Sequence, residues 1–404
     1  MAVNLPPMGE LLPVDGLRLG AAEAGVKYRD RLDLAVVVLE AGSTVGGVFT
    51  SSAFQAAPVL VARERIGTAR ALVVNSGNAN AATGDRGLAD ARSTCAHLAS
   101  RIGVAATEVL PFSTGVIGEF LDMDAMCRGI DAAVGVARPD GWADAARAIM
   151  TTDTAPKAAS VTGVVNGHPI CATGMVKGSG MIRPDMATML AFLGTDAAVS
   201  VGGVQSLAKD LADRSLNRVT VDGDTSTNDA FVVMSTGRAG GATVTDREHP
   251  GYGELLDALT PLAVDLAQRT ARDGEGATKF VTVRVEEGRN AADCLAIAYT
   301  IAHSPLVKTA VFAGDPNWGR FCMAIGRAGV DGLDPDAVGL YLDDVCVARG
   351  GLVAHDYTEE AGADVMAKDE FTVRVTLGQG HAAETVWTTD LSYEYIRINA
   401  EYRT

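Results

Sequence analysis

Short apolar runs closed by glycine or asparagine alternate with longer stretches of helical spacing along this chain, and that alternation is the strongest constraint on its fold. Leu32–Glu40 reads as a buried strand, Gly46–Thr50 begins a second after a glycine turn, and Ala69–Asn75 is a third. The polar stretch Asn75–Asn80 that follows has turn composition. Gly87–Gly103 places Leu88, Ala89, Ala96, Leu98 and Ile102 at helical spacing, and further helices are predicted over 122–137, 141–150, 204–217, 252–272 and 293–304. Val161–Ile170 carries Asn166-Gly167 at its centre, a hairpin signal. From Val338 onward come short alternating runs, 338–342, 345–347, 370–377 and 383–388, as in a sheet with one covered face. The expected class is α/β, with a domain boundary near residues 280–290 where the sequence turns strand-rich.

The chemistry concentrates in Gly174–Phe192, which reads Gly-Met-Val-Lys-Gly-Ser-Gly-Met-Ile-Arg-Pro-Asp-Met-Ala-Thr-Met-Leu-Ala-Phe. Its glycines let backbone approach a ligand or fold back on itself. A hydroxyl such as Thr188 beside a flexible, cationic loop around Lys177 is suited to acyl transfer, although a Thr in an apolar run is also an ordinary strand residue. The loop does not fit a phosphate-binding pattern, because Lys177 precedes the glycines. A second stretch, Val109–Gly118, runs an apolar segment into Ser113-Thr114-Gly115. It reads either as the N-cap of a helix or as a bend whose donors hold an oxyanion. Asp222, Asp224 and Asp229 lack the terminal Glu of a calcium loop. The six histidines are dispersed without ligand spacing, and no Gly-x-Ser-x-Gly elbow occurs.

A chain of 404 residues can bury a sizeable core, and its length suggests two to three domains. The formal net charge of -16 excludes a nucleic-acid partner of the usual kind, whose phosphates need a positive face. An amino-acid carboxylate must then be bound by local cations such as Lys177. Six scattered cysteines without a CxxC pair point to free thiols in a reducing, cytoplasmic setting. Neither a spanning segment nor a secretory signal is expected.

Taken whole, Gly174–Phe192 closely resembles the self-cleavage segment of the ornithine (glutamate N-) acetyltransferase family of arginine biosynthesis. Further matching blocks are spread over almost the full chain: Asn75–Asn80, Ser113–Gly118, Met150–Asp153, Asp222–Asp229, Lys308–Ala310, Gly314–Arg320 and the tail Asn399–Thr404. The resemblance implies an N-terminal-nucleophile-like layered α/β sandwich over about 1–285 and a smaller C-terminal α/β domain over about 286–404. It also implies autoproteolysis between Ala187 and Thr188, giving an α chain of 1–187 and a β chain of 188–404.

On that resemblance Thr188 is the nucleophile and Thr114 and Gly115 stabilise the oxyanion. Thr151, Lys177, Thr188, Glu275, Asn399 and Thr404 match substrate contacts. The implied reaction is ping-pong acetyl transfer from N2-acetyl-L-ornithine to L-glutamate, with acetyl-CoA as a donor in some members. No cofactor and no metal are implied; the implied assembly is a cytoplasmic heterotetramer of two α and two β chains. Two other readings stand beside it: an amidase or aminopeptidase of the same nucleophile type with water as acceptor, and a non-catalytic amino-acid-binding protein.

Overall fold

Leu17–Ala22 (β1) pairs antiparallel with Leu34–Leu39 (β2), and in β2 both alternating sets of side chains are buried, Ala35, Val37 and Leu39 on one face and Leu34 and Val36 on the other. A strand apolar on both faces belongs to a sheet covered on both sides. The chain is described here from a computed structural model covering residues 2–67, 69–183 and 189–401. It divides into two compact units, one of Pro7–Asn217 with Asp224–Thr270, the other of Met1–Pro6, Arg218–Gly223 and Ala271–Thr404.

The larger unit holds Thr44–Phe49 (β3), helix Ala57–Arg65 (α1), Ala71–Asn78 (β4), helix Gly84–Ile102 (α2) and Val109–Val116 (β5). After these come helices Met123–Gly135 (α3) and Trp142–Ala148 (α4), strands Lys157–Val165 (β6), His168–Lys177 (β7) and Leu190–Thr195 (β8), helix Val201–Arg214 (α5), Ala230–Ser235 (β9) and helix Pro250–Arg272 (α6). One sheet runs β1-β2-β4-β5, the other β3-β9-β8-β7-β6. Leu17, Val37, Leu72, Leu110 and Phe112 of the first sheet share one core with Met175, Leu190, Phe192 and Val232 of the second. Phe112 meets Phe192 edge to face, with ring centroids 5.1 Å apart. The opposite face of the first sheet buries Val36, Val73 and Val109 against α1, α2 and α3. On the second sheet, α6 lies so close that a Cβ on Gly174 would stand 2.8 Å from Leu266. The result is the layered α/β sandwich that the resemblance implied.

Local signals explain most of these elements. Asn166 and Gly167 both take positive φ and join β6 to β7 as a tight hairpin, with Val165 opposite His168. The α5 helix starts earlier than its apolar spacing suggested, because Ser200 Oγ accepts from the Gly203 amide at 3.1 Å and caps it. Two readings are corrected. Asn75–Asn78 is not a turn but the end of β4, and Ser113-Thr114-Gly115 is not a helix N-cap but lies within β5, whose parallel pairing with β4 absorbs both stretches.

The smaller unit is also α/β. It contains Phe280–Gly288 (β10), helices Ala291–Ala302 (α7), Pro305–Ala313 (α8) and Trp318–Gly326 (α9), then Gly339–Leu342 (β11), Val345–Arg349 (β12) and Leu352–Val353 (β13). Helix Glu359–Met366 (α10), strands Glu370–Thr376 (β14) and Ala382–Thr389 (β15), and helix Tyr393–Ala400 (α11) complete it. The sheet order is β13-β12-β11-β14-β10-β15. Val281, Val283 and Val285 of β10 pack with Ile297 and Ile301 of α7, Val311 of α8 and Phe321 of α9, so one face is covered as the alternation predicted. Among the described residues no single helix is long and apolar enough to cross a membrane.

Candidate active site

Lys177 closes β7, opposite Leu190, the first residue of β8. Strand alternation puts it on the face of Met175, which lies in the core between the two sheets, and only 4% of Lys177 is exposed. A buried ammonium needs oxygen partners. Lys177 Nζ donates to Thr151 Oγ1 at 3.3 Å, so the loop after α4 and the glycine-rich loop after β7 lie side by side.

Two further bonds lace those loops together. The Gly178 amide, at φ +151°, donates to Asp153 Oδ1 at 2.8 Å, and the hydroxyls of Thr152 and Ser179 are 2.7 Å apart. Asp153 Oδ2 accepts from the Thr151 amide at 2.9 Å, and Oδ1 also accepts from Lys157 Nζ at 2.5 Å. Burial works against a charge on Asp153, yet the ammonium groups of Lys157 and Lys177 and the Gly178 amide outweigh it and hold this carboxyl well below the usual carboxylate range. Asp153 is therefore an anion at neutral pH that organises two lysines and two backbone amides.

Thr114 and Gly115 occupy a register irregularity where β5 runs parallel to β4: Thr114 is paired with both Ser76 and Asn78, and Gly115 with Gly77. Gly115 has φ +134°, and a Cβ there would stand 2.2 Å from the Gly77 carbonyl carbon. Only glycine fits this bulge. Behind it, Ser113 Oγ donates to Asn75 Oδ1 at 2.6 Å, and Asn75 Nδ2 donates to the Asn78 carbonyl at 2.9 Å. Asn75 is thus a buried tie of the bulge, whereas the Asn78 and Asn80 side chains bond away from it, Asn78 to the Glu119 and Phe120 carbonyls and Asn80 to the Gly87 carbonyl and the Thr83 hydroxyl.

The bulge and the lysine loops are physically connected. Ser76, the register partner of Thr114, donates its hydroxyl to the Ala148 carbonyl at 2.8 Å, at the end of α4 and three residues before Thr151. Arg31 Nη2 donates to the Met150 carbonyl at 2.5 Å and fixes the same corner.

In the smaller unit, Asn399 Nδ2 on α11 donates to Glu275 Oε2 at 2.9 Å. The backbone around Glu275 is fitted to that helix: Ser392 Oγ donates to the Gly276 carbonyl at 2.6 Å, and a Cβ on Gly276 would meet the Tyr395 nitrogen at 2.3 Å. Sequence reasoning singled out Thr114, Gly115, Thr151, Lys177, Glu275 and Asn399. The structure groups Thr151 with Lys177, sets Thr114 beside Gly115 on one bulge, and pairs Glu275 with Asn399. Ala187, Thr188 and Thr404 lie outside the described residues. Asp153 and Ser179 fall inside the matching blocks, and no local pattern in the sequence announces their contacts.

A model of the ArgJ family matches residues 18–404. The arginine biosynthesis bifunctional protein ArgJ of Pseudomonas syringae pv. tomato is 51% identical over 405 residues, spanning 100% of both chains. The protein of the same name from Pseudomonas fluorescens is also 51% identical over 405 residues, with 100% of both chains covered. The crystal structure of the Bacillus halodurans arginine biosynthesis bifunctional protein ArgJ is 36% identical; the match covers 51% of this chain and 95% of that one, with a TM-score of 0.48.

Proposed function

Since this chain belongs to the ArgJ family, we propose that it transfers the acetyl group of N2-acetyl-L-ornithine to L-glutamate, leaving ornithine and N-acetylglutamate. The observation that carries this reading is the buried Lys177 ammonium, held against Thr151 at the end of β7, ten residues before Ala187 in the chain. A lysine so placed is an anchor for the α-carboxylate common to both substrates.

The chemistry starts with maturation. The Thr188 hydroxyl attacks the Ala187 carbonyl, an N-to-O acyl shift follows, and hydrolysis of the ester leaves Thr188 with a free α-amino group. That amine has an ordinary pKa of about 7.7–8.0, close to working pH, and serves as the base for its own hydroxyl. Thr188 then attacks the acetyl carbonyl of acetylornithine. Thr114 and Gly115 receive the oxyanion, in keeping with a strand bulge that only glycine fits and a Thr114 hydroxyl that forms no side-chain hydrogen bond among the described residues. Ornithine leaves, and the glutamate amine takes the acetyl group from the threonine ester, a ping-pong cycle.

Glu275, oriented by Asn399, is assigned to the side-chain ammonium of ornithine, and Thr404 to a further substrate contact. The same nucleophile accepts acetyl groups from acetyl-CoA if that thioester reaches the site. The working form in this proposal is a cytoplasmic heterotetramer of two 1–187 and two 188–404 chains.

Mass spectrometry under denaturing conditions, combined with an acetyl-transfer assay, tests the reading. Two fragments that part before Thr188 are expected from the active protein, and Thr188→Ala should give one uncut 41.7 kDa chain without activity. A cut or active Thr188→Ala protein refutes the nucleophile. Release of acetate without glutamate would instead identify water as the acceptor.

A further inference from the structure

The stretch Asp222–Asp229 has no part in the reaction as set out above, yet it sends one side chain to the oxyanion strand. Asn228 lies two residues before β9 in the second sheet and is buried. Its Nδ2 donates to the Ser113 carbonyl at 2.8 Å and to the Ala79 carbonyl at 2.7 Å, both on the first sheet's side of the core. The orientation of this side-chain amide is determined, because Thr227 Oγ1 donates to Asn228 Oδ1 at 2.6 Å; the Asn228 backbone amide donates to Ser226 Oγ at 3.0 Å and holds the residue itself. Both amide hydrogens are thereby committed to carbonyls, a demand that neither Asp nor Leu can meet.

The two carbonyls bracket the bulge. Ser113 precedes Thr114 on β5, the edge strand of its sheet. Ala79 follows β4, and its own amide donates to the Val116 carbonyl at 2.9 Å. A peptide is planar, so fixing the Ser113 carbonyl fixes the plane of the Ser113-Thr114 peptide and with it the starting direction of Thr114 and Gly115. The second donor prevents β4 from sliding against β5 on the far side of the bulge. Thr50 supports the segment from behind: its Oγ1 donates to the Ser226 carbonyl at 2.7 Å and its amide to the Asp229 carbonyl at 3.0 Å.

From this geometry we propose that Asn228 is the positioning residue of the oxyanion pair, a cross-sheet clamp that sets Thr114 and Gly115 where negative charge develops. It touches no reacting atom and acts through the backbone on either side of the bulge. The proposal rests on the assignment of Thr114 and Gly115 given above. Misplacing such donors by about 1 Å costs up to about 100-fold in rate.

The test compares Asn228→Ala and Thr227→Val with Asn80→Ala, whose side chain bonds the Gly87 carbonyl and the Thr83 hydroxyl instead. Cleavage is followed by mass spectrometry, kcat and KM for acetylornithine are measured on the cut, folded fraction, and Tm is recorded for each. Asn228→Ala should cut slowly and lose roughly 10- to 100-fold in kcat at unchanged KM. Thr227→Val, which frees the amide to rotate, should lose kcat by a smaller factor without loss of fold. Asn80→Ala should lower Tm alone. Wild-type kcat in both Asn228→Ala and Thr227→Val, or losses that track Tm as in Asn80→Ala, would overturn the clamp. Full kcat in Thr114→Ala would instead point to failure of the oxyanion assignment itself.

Discussion

Asp153 and Lys157 form an ion pair in which neither side chain has any solvent exposure, with 2.5 Å between Nζ and Oδ1. The same carboxylate accepts the Gly178 and Thr151 amides, so one buried charge fixes both loops on which Lys177 depends. Removing one partner of such a pair leaves the other buried and uncompensated.

Asp153→Asn should therefore destabilise the protein by about 3–5 kcal/mol at neutral pH. The carboxyl is held below its ordinary value in the folded state, so its stabilisation is complete above the unfolded pKa of about 3.9 and disappears as pH falls through the folded value. Urea unfolding of wild type and variant, both in the uncut Thr188→Ala background, should show a gap that is constant from pH 7 to about pH 5 and narrows below about pH 4. A gap that persists undiminished to pH 3 would show that Asp153 acts by packing alone.

Lys308 supplies the opposite sign. It is buried in the smaller unit, where its Nζ donates to Thr388 Oγ1 at 3.0 Å and to the Thr389 carbonyl. Burial pushes its ammonium down to about 8, against the partial support of Asp390 and Asp222. A lysine with a lowered folded pKa favours folding more as pH rises, because between about 8 and the ordinary 10.5 the unfolded chain binds the extra proton. Wild-type stability should rise relative to Lys308→Met between pH 8 and 10 in denaturant titrations. Parallel curves for the two proteins would show that this ammonium does not titrate on unfolding.

Gly276→Ala should separate binding from chemistry. At φ +66° and with its Cβ 2.3 Å from the Tyr395 nitrogen, the alanine must displace the start of α11 and with it the Asn399 contact to Glu275. Loss of one hydrogen bond to a charged group is worth about 1.5–3 kcal/mol, which corresponds to a KM for acetylornithine roughly 10- to 100-fold higher with kcat little changed. Steady-state kinetics decide it. A fall in kcat at constant KM would remove Glu275 from the ornithine contact.

What could be read before the structure was known depended on the range over which each residue acts. The Asn166-Gly167 hairpin and the α2 spacing are local and were legible. Helix α8 was missed although Ser304 and Pro305 mark its start, Ser304 Oγ accepting from the Val307 amide at 3.4 Å. The misreading of Ser113-Thr114-Gly115 has a different origin: hydroxyls there suit an N-cap, and only the parallel partner β4, far away in sequence, makes the stretch a strand. Asp153 and Asn228 were invisible as individuals for the same reason, since their partners are backbone groups of distant segments. Residue chemistry alone pointed to Thr188, Lys177 and Ser113-Thr114-Gly115 with alternatives left open, and the roles proposed for the site residues rest on the resemblance.

The second sheet of the larger unit has the order β3-β9-β8-β7-β6, and the bond between Ala187 and Thr188 lies in the chain between β7 and β8. Maturation would thus distribute a single sheet over two molecules, with β3, β7 and β6 in one and β9 and β8 in the other, the latter two flanked on both sides. Neither product could keep that sheet by itself, since each would present unpaired edges. An unfolded precursor can recover its sheet by a first-order search, whereas the unfolded mature protein must first find its other half in solution. Cleavage would therefore leave the native state intact but change the kinetic order of its recovery, so that the finished enzyme, once lost, returns at a rate set by concentration.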